Sequence, residues 1–238
     1  MALSGIYASV SGLRVSQQRL SQRAHNLANL STPGFVPRRV EQADQAQGGV
    51  RAVGSTALGT GPLVPTDRPL DLAIDGGGFF VLNDGQGGKV YTRAGNFMLD
   101  AQGQLVDSMG RTLSPNITIP REAAQVHVTA QGQVQALAED GSVLSQGQIE
   151  TAVFGNPGGL QALGGNVFRE TAASGPPVTA NPGTAGHGQI VSGALTASGT
   201  DLAREMVGMI NDQRDFEANL KSVKTEDENL GTILDIVS

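Results

Sequence analysis

The three histidines are the first residues to consider for chemistry, because imidazole binds metals and transfers protons near neutral pH. They are His25, His127 and His187, and they lie in three separate regions with no metal-ligand spacing between them. The chain also contains no cysteine, which excludes disulfides and thiolate metal sites. We therefore predict no metal centre, and we predict surface positions for His25 and His127.

The segment NDGQGGKV, residues 83–90, is similar to a phosphate-binding loop but fails its pattern at two positions. Asn83 stands where the first glycine is required, and Val90 stands where Ser or Thr is required. The run 76–78 is Gly-Gly-Gly without the G-x-G-x-x-G spacing of a dinucleotide site, and no G-x-S-x-G occurs. A hairpin turn is the better interpretation of 83–90, and no cofactor is predicted.

Carboxylates are frequent in the middle of the chain, where turns and strand ends account for each of them. The residues are Asp71, Asp75, Asp84, Asp100, Asp107 and Asp140. A hydrolase is the alternative interpretation, and it predicts two of these carboxylates converging in one pocket. Because no constellation of residues indicates catalysis, we predict that the chain has no catalytic residues and is not an enzyme.

Composition narrows the class of protein further. The net charge of −6 provides no basic face for nucleic acid and no polybasic patch for a membrane surface. No apolar run approaches the roughly 20 residues of a membrane helix. The N-terminus lacks a basic region followed by an unbroken apolar one, so we predict no cleavable signal peptide. The 33 glycines favour short strands joined by many turns.

Residues 1–31 repeat apolar side chains at alternating intervals of three and four, which is the heptad seam of a coiled coil. Gln17 is its one polar member, and Pro33 with Gly34 prevents the helix from continuing. We predict that this seam is an assembly contact, formed on this helix by Leu3, Ile6, Val10, Leu13, Leu20 and Leu27.

Residues 202–237 repeat the same spacing, with Asp201 placed to cap the helix. The seam positions predicted to contact neighbours are Leu202, Met206, Met209, Phe216, Leu220, Val223, Leu230 and Leu234. Val207 and Ile210 lie beside this seam, and a helix with more than one apolar stripe requires more than one neighbour. The terminal helices are therefore expected to order fully only in an assembly. The alternative is a self-contained pair of helices packed on the middle domain.

Between the helices, short apolar runs alternate with Asp-Gly, Gln-Gly-Gly and Ala-Gln-Gly breaks, a pattern typical of antiparallel hairpins. The predicted fold class is α+β: long N- and C-terminal helices forming a coiled-coil-like pair, with an inserted Gly-rich antiparallel β domain. The predicted segments are an axial helix and turn at 1–35, an outgoing linker at 36–60, a β-rich domain at 61–154, an irregular Gly/Pro-rich return at 155–198, and an axial helix at 199–238.

Several segments resemble the axial proteins of the bacterial flagellum, which form its rod and hook. NLANLSTPGF matches the Asn-Leu/Ile-Ala-Asn-x-x-Thr-x-Gly-Phe signature of that family, through Asn26, Asn29, Thr32, Gly34 and Phe35. PLDLAIDGGGFF, YTRAGNFMLDAQGQLV and FGNPGGLQALGGNVFRETAASG are similar to parts of its middle domain, and EMVGMINDQRDFEANLKSVKTEDENL is similar to its C-terminal helix. The resemblance covers nearly the whole chain in the same order. The length, NITIP and the TAASG return favour the distal rod over the proximal-rod member that also has a middle domain.

The resemblance implies a structural subunit of the basal-body rod that polymerises helically through its terminal helices. It also implies a drive shaft that spans the periplasm, transmits torque and encloses the export channel. The implied partners are copies of the chain, other rod proteins, the hook protein, the rings around the rod and the flagellar type III export apparatus. Alternatives are a hook or accessory axial protein, or a secreted β-rich binding module on a helical stalk.

Overall fold

The computed structural model describes the backbone of residues 2–45, 49–56, 59–184 and 186–237. It describes the side chains of the same residues except 2–4, 55, 56, 230 and 233–237. The chain divides into two compact units. The first consists of Met1–Leu30, Arg38–Ala57 and Thr200–Ser238, and the second of Ser31–Pro37 and Leu58–Gly199.

Long helices and a hairpin build the first unit. Helix α1 spans Ala2–Ala28 and α2 spans Leu202–Val237, while strands β1 (Arg38–Asp44) and β2 (Val50–Thr56) pair antiparallel. The two helices lie side by side and run in opposite directions. Asp201 caps α2 as predicted, because its carboxylate accepts a hydrogen bond from the backbone N–H of Arg204 at 3.1 Å.

Short antiparallel strands build the second unit. Their bounds are β3 Leu63–Pro65, β4 Leu72–Asp75, β5 Phe79–Asn83, β6 Lys89–Thr92, β7 Met98–Leu99, β8 Leu105–Val106, β9 Gln125–Val128, β10 Gln133–Leu137, β11 Val143–Gln148, β12 Thr151–Val153, β13 Gln161–Gly164, β14 Val167–Arg169, β15 Val178–Ala180, β16 Gln189–Ser192 and β17 Ala194–Thr196. The largest sheet has six strands in the order β13-β14-β6-β5-β12-β15, and a three-stranded sheet has the order β11-β10-β9. Strands β16 and β4, β17 and β3, and β7 and β8 form separate pairs.

Aromatic side chains concentrate in the core of the second unit. In one cluster, the rings of Phe80 and Phe97 meet edge to face at 5.2 Å. In a second cluster, Phe79 and Tyr91 each contact Phe154 edge to face, at 5.9 and 4.8 Å. Such pairs contribute beyond the area they bury. A chain with 4% aromatic residues therefore places several of them where they stabilise one domain.

The α+β class is confirmed, with a helix at each end and a β-rich middle. The expected irregular path through 155–198 requires correction, because β13 to β17 lie in this segment. Strand β13 pairs with β14, and β14 to β17 each pair with an earlier strand. The outgoing segment 36–60 likewise contains the β1–β2 hairpin. The Gly- and Pro-rich composition of 155–198 marks its turns correctly, but it does not reveal strands of three or four residues between them.

Titration of Tyr91 tests whether the second aromatic cluster is buried. The phenol is 1% exposed, and burial, aided by the negative charge of Glu170, raises the pKa of Tyr91 to about 12. Because this folded pKa lies above the ordinary value of about 10, the stabilising contribution of the neutral phenol is fully present below pH ~10 and is lost as pH rises through about 12.

The chain has two tyrosines, so the Tyr7→Phe variant leaves Tyr91 as the only phenol. We expect its phenolate absorbance to develop with a midpoint near pH 12. Circular dichroism on the same samples serves as the control for folding. A midpoint near pH 10 in a chain that is still folded would contradict burial of this ring.

Candidate assembly interface

The histidines do not form a catalytic or metal site. His25 and His127 are exposed, as predicted. His187 is buried, with its Nδ1 2.8 Å from the hydroxyl oxygen of Thr151. Within the part of the chain that the structure describes, no three His, Asp or Glu side chains are placed to hold a metal ion.

Four of the carboxylates in the middle of the chain form hydrogen bonds to the backbone of their own turns. Asp84, Asp100, Asp107 and Asp140 each accept a hydrogen bond from the backbone N–H two residues later, at 2.8 to 2.9 Å. These are Asx turns, as their sequence positions predicted. The backbone N–H groups of Gln86 and Gly88 accordingly hold the pKa of Asp84 below its ordinary value.

Among the described helices, none is both long and apolar enough to cross a membrane.

The predicted seam residues of α2 are incompletely covered within one chain. Leu202, Met206 and Leu220 are 44, 52 and 51% exposed. Met209, Phe216 and Val223 are half-buried. On α1 the seam residues Ile6, Val10, Leu13, Leu20 and Leu27 are all half-buried. The side chains of Leu3, Leu230 and Leu234 lie outside the described residues. Apolar surface of this kind is therefore available to a further partner.

A row of glycines and polar side chains on each helix joins α1 to α2. A Cβ added at Gly5 would overlap the carboxylate of Glu226, and one added at Gly12 would lie 2.8 Å from the amide oxygen of Asn219. Both contacts belong to one antiparallel register, as do the ion pairs described below. We name this surface the polar ladder, and its members are Gly5, Gly12, Arg19, Arg23 and Asn26 on α1 and Glu205, Gly208, Asp212, Asn219 and Glu226 on α2.

Arg23 lies at the centre of the charged part of the ladder. Its Nε donates to Asp212 at 2.5 Å, and its Nη1 donates to Glu205 at 3.1 Å. Both carboxylate side chains are 5% exposed. Burial by itself lowers the pKa of Arg23, but the hydrogen bonds and charges of Asp212 and Glu205 more than offset this, so the pKa is raised. Arg19 adds a second positive charge 4.0 Å from Asp212.

Asn26 is the most completely bonded residue of the ladder. Its side-chain amide donates to the backbone C=O of Arg38 at 2.8 Å and to Glu205 at 3.1 Å. Its side-chain oxygen accepts from the backbone N–H of Arg38 at 3.1 Å and from the Gln22 amide at 3.2 Å. The residue is 1% exposed. One side chain thus joins α1, α2 and the first residue of β1.

The ladder residues also repeat at heptad spacing in the sequence, alongside the more prominent apolar repeat. Gly5, Gly12, Arg19 and Asn26 follow one another at heptad spacing, and so do Glu205, Asp212, Asn219 and Glu226. At 3.6 residues per turn, the row on α1 lies about a third of a turn from the middle of the α1 seam, and the row on α2 lies about a fifth of a turn from the middle of the α2 seam. The helices therefore meet along these polar rows.

The last three residues of the signature turn, Thr32, Gly34 and Phe35, lie in the second unit. Gly34 has a φ of 66°, and a Cβ there would overlap the backbone of Arg93 and Ala94. Its N–H donates to the C=O of Thr196 at 2.7 Å, and the C=O of Phe35 accepts from the N–H of Gly199 at 2.9 Å. The Thr32 C=O accepts from the Phe35 N–H at 3.2 Å, which closes the turn. Only glycine has both the backbone freedom and the absent Cβ that this position requires.

Asn29, the second asparagine of the signature, has a more local role than Asn26. Its side-chain amide donates to the C=O of His25 within α1 at 2.9 Å. Its backbone N–H also bonds to His25, at 3.2 Å, where the helix ends. Asn26 therefore links separate elements, and Asn29 makes these two bonds within its own helix.

Known proteins are similar to this chain in two family regions and over nearly its whole length. Residues 73–136 match the family described as flagellar hook protein FlgE/F/G D1 domain, and residues 191–236 match the flagellar basal body rod FlgEFG protein C-terminal family. The flagellar basal-body rod protein FlgG of Bacillus subtilis is 36% identical over 98% of this chain and 99% of its own length. The FlgG protein of Caulobacter vibrioides is 35% identical over 96% and 97%.

A hook protein is similar over a smaller part of the chain. The flagellar hook protein FlgE of Helicobacter pylori is 38% identical over 47% of this chain and 16% of its own length. The chain therefore belongs to the family of flagellar rod and hook proteins. It is a structural subunit of the flagellar basal-body rod and not an enzyme, as predicted.

Proposed function

We propose that the chain is a subunit of the distal rod and that it polymerises helically through α1 and α2. The two helices of each subunit form a coiled-coil-like pair in the wall of a tube, and the tube encloses the export channel. The seam residues on both helices contact neighbouring subunits. The signature turn, Asn26, Asn29, Thr32, Gly34 and Phe35, is the corner where the tube-forming helix ends.

The exposed seam of α2 is the observation that carries this proposal. Met206 and Leu220 are half exposed although their helix already has a partner within the chain. Burial of such a side chain contributes about 1.5–3 kcal/mol when complete. Seam side chains repeated along a polymer supply that burial at every subunit contact. Interfaces of this kind resist the shear that accompanies torque.

The proposed partners follow from the same assembly. They are copies of the chain, other rod proteins below it, the hook protein above it and the rings that surround the rod. The chain is synthesised in the cytoplasm and reaches the periplasm-spanning rod through the flagellar export apparatus. The support for these partners is the similarity over nearly full length to proteins named as basal-body rod proteins.

Site-specific labelling of purified hook–basal bodies tests the proposal. Gln86 is exposed in a turn, and the chain has no cysteine, so Gln86→Cys introduces a single thiol. We expect gold coupled to this thiol to mark the rod just below the hook in electron micrographs. Particles from cells that make the unsubstituted chain are the control for thiols of other proteins. Label on the hook, on the lower rod or nowhere on the particle would contradict the proposal.

A further inference from the structure

The polar ladder is a separate feature from the apolar seams, and the assembly described above does not explain it. We propose that the ladder, through Arg23 seated at Gly208, determines which helix α1 pairs with and in which register. It selects α2 of the same chain in one antiparallel register. Both seams are thereby left for other copies, and only this consequence rests on the proposed function.

Charge supplies the first part of this selection. Asp212 and Glu205 are almost fully buried, and Arg23 contacts both. A buried carboxylate that loses its partner carries a large desolvation penalty, so arrangements that separate it from arginine are disfavoured. Buried polar groups in helix pairs are known to fix register by this mechanism. Contact of α1 with the apolar seam of α2 would leave these carboxylates without Arg23.

Steric fit supplies the second part. A Cβ at Gly208 would overlap the guanidinium of Arg23, so the absence of a side chain there makes room for the arginine. A slip of one heptad in either direction places Ser16 or Leu30 opposite Gly208. The same slips move Arg23 to face Asp201 or Asp215, and the space at Gly208 is then left without its guanidinium. Only the observed register both pairs Arg23 with Glu205 and Asp212 and fills the space at Gly208 with its guanidinium.

Disulfide trapping in the purified full chain measures this register. The register places Ser9 opposite Ser222, and a one-heptad slip would place Ser16 opposite Ser222. Because the chain has no cysteine, Ser9→Cys with Ser222→Cys reports the observed register, and Ser16→Cys with Ser222→Cys reports the slipped one. We expect the first pair to form its disulfide within one chain, about tenfold faster than the second pair. This ratio corresponds to the interaction free energy that contacting residues typically share.

Substitutions in the ladder should reduce this preference. In Arg23→Leu and Gly208→Leu backgrounds we expect the tenfold ratio to fall to within about twofold of unity, whereas Arg23→Lys keeps the charge and should retain much of it. Arg14→Leu is the matched control, because Arg14 is exposed on the opposite face of α1. Circular dichroism establishes that each variant keeps its helices.

The outcomes that overturn the proposal are distinct. The proposal is wrong if the parent chain shows no preference between the two cysteine pairs, or if Arg23→Leu and Gly208→Leu both leave the preference unchanged. It is also wrong if Arg14→Leu loses the preference equally, or if the disulfides are mainly intermolecular. Loss of helix in Arg23→Leu and Arg23→Lys alike would also overturn it, because the ladder would then hold the helices rather than select their register. The trapping uses the isolated chain, so its result is independent of where gold marks the basal body.

Discussion

Leu220→Asp is expected to abolish swimming and to leave cells without hooks or filaments. Leu220 is half exposed in the single chain and lies on the seam that we propose faces a neighbouring subunit. A carboxylate there loses apolar burial and adds a charge that must be desolvated, which costs several kcal/mol per contact. Each subunit of a polymer repeats that cost. Motility in soft agar and electron microscopy of basal bodies provide the measurement.

Two controls separate the seam from charge and from folding. Leu220→Met keeps an apolar side chain of similar volume and should swim normally. Asn211→Asp adds the same charge to an exposed position on the opposite face of α2 and should also swim normally. The purified Leu220→Asp chain should unfold at an unchanged denaturant concentration. Normal flagella in Leu220→Asp cells would show that the seam is not an assembly contact.

Asn26→Ala is expected to destabilise the first unit by roughly 2–4 kcal/mol. The substitution removes the partner of both backbone groups of Arg38, which Asn26 bonds at 2.8 and 3.1 Å. Each buried polar group left unpaired costs about 1–3 kcal/mol. Denaturant unfolding followed by the helical circular dichroism signal measures the loss, because α1 and α2 belong to this unit.

Asn29→Ala is the comparison variant, since the same substitution three residues later removes a bond to the His25 carbonyl within α1. We expect it to change the stability by no more than about 0.5 kcal/mol. Asn26→Asp should resemble Asn26→Ala, because a carboxylate cannot donate to the Arg38 carbonyl and lies beside Glu205. Equal effects of Asn26→Ala and Asn29→Ala would contradict the distinction between the two asparagines.

Local chemistry was sufficient to predict the helix ends and the turns. Asp201 accepts a bond from the first turn of α2, and Gly34 adopts a positive φ where α1 has ended. Asp84 and Asp100 bond to the backbone two residues later. Each of these interactions joins residues close in sequence, so its energy depends on few other parts of the chain.

The strands of 155–198 were not predictable in the same way. Strand β14 has three residues and pairs with β6, where Phe168 faces Tyr91. Three residues are too few to show an alternating pattern, and the pairing energy comes from a strand far away in the sequence. Composition therefore indicated the turns of this segment, and the long-range pairing decided its strands.

The terminal helices show most clearly which features the sequence predicts and which depend on the tertiary structure. Heptad spacing was enough to predict two long helices with apolar seams, because periodicity is a property of each helix alone. Arginine and carboxylates at the same spacing carry no comparable signal, since a single helix gives a charged residue no partner. Contacts of Arg23 and Asn26 with Glu205, which lies 182 and 179 residues away, turn these polar rows into the intrachain contact. Only the tertiary structure could decide this, because the free energy of a buried charge depends on the partner that folding brings beside it.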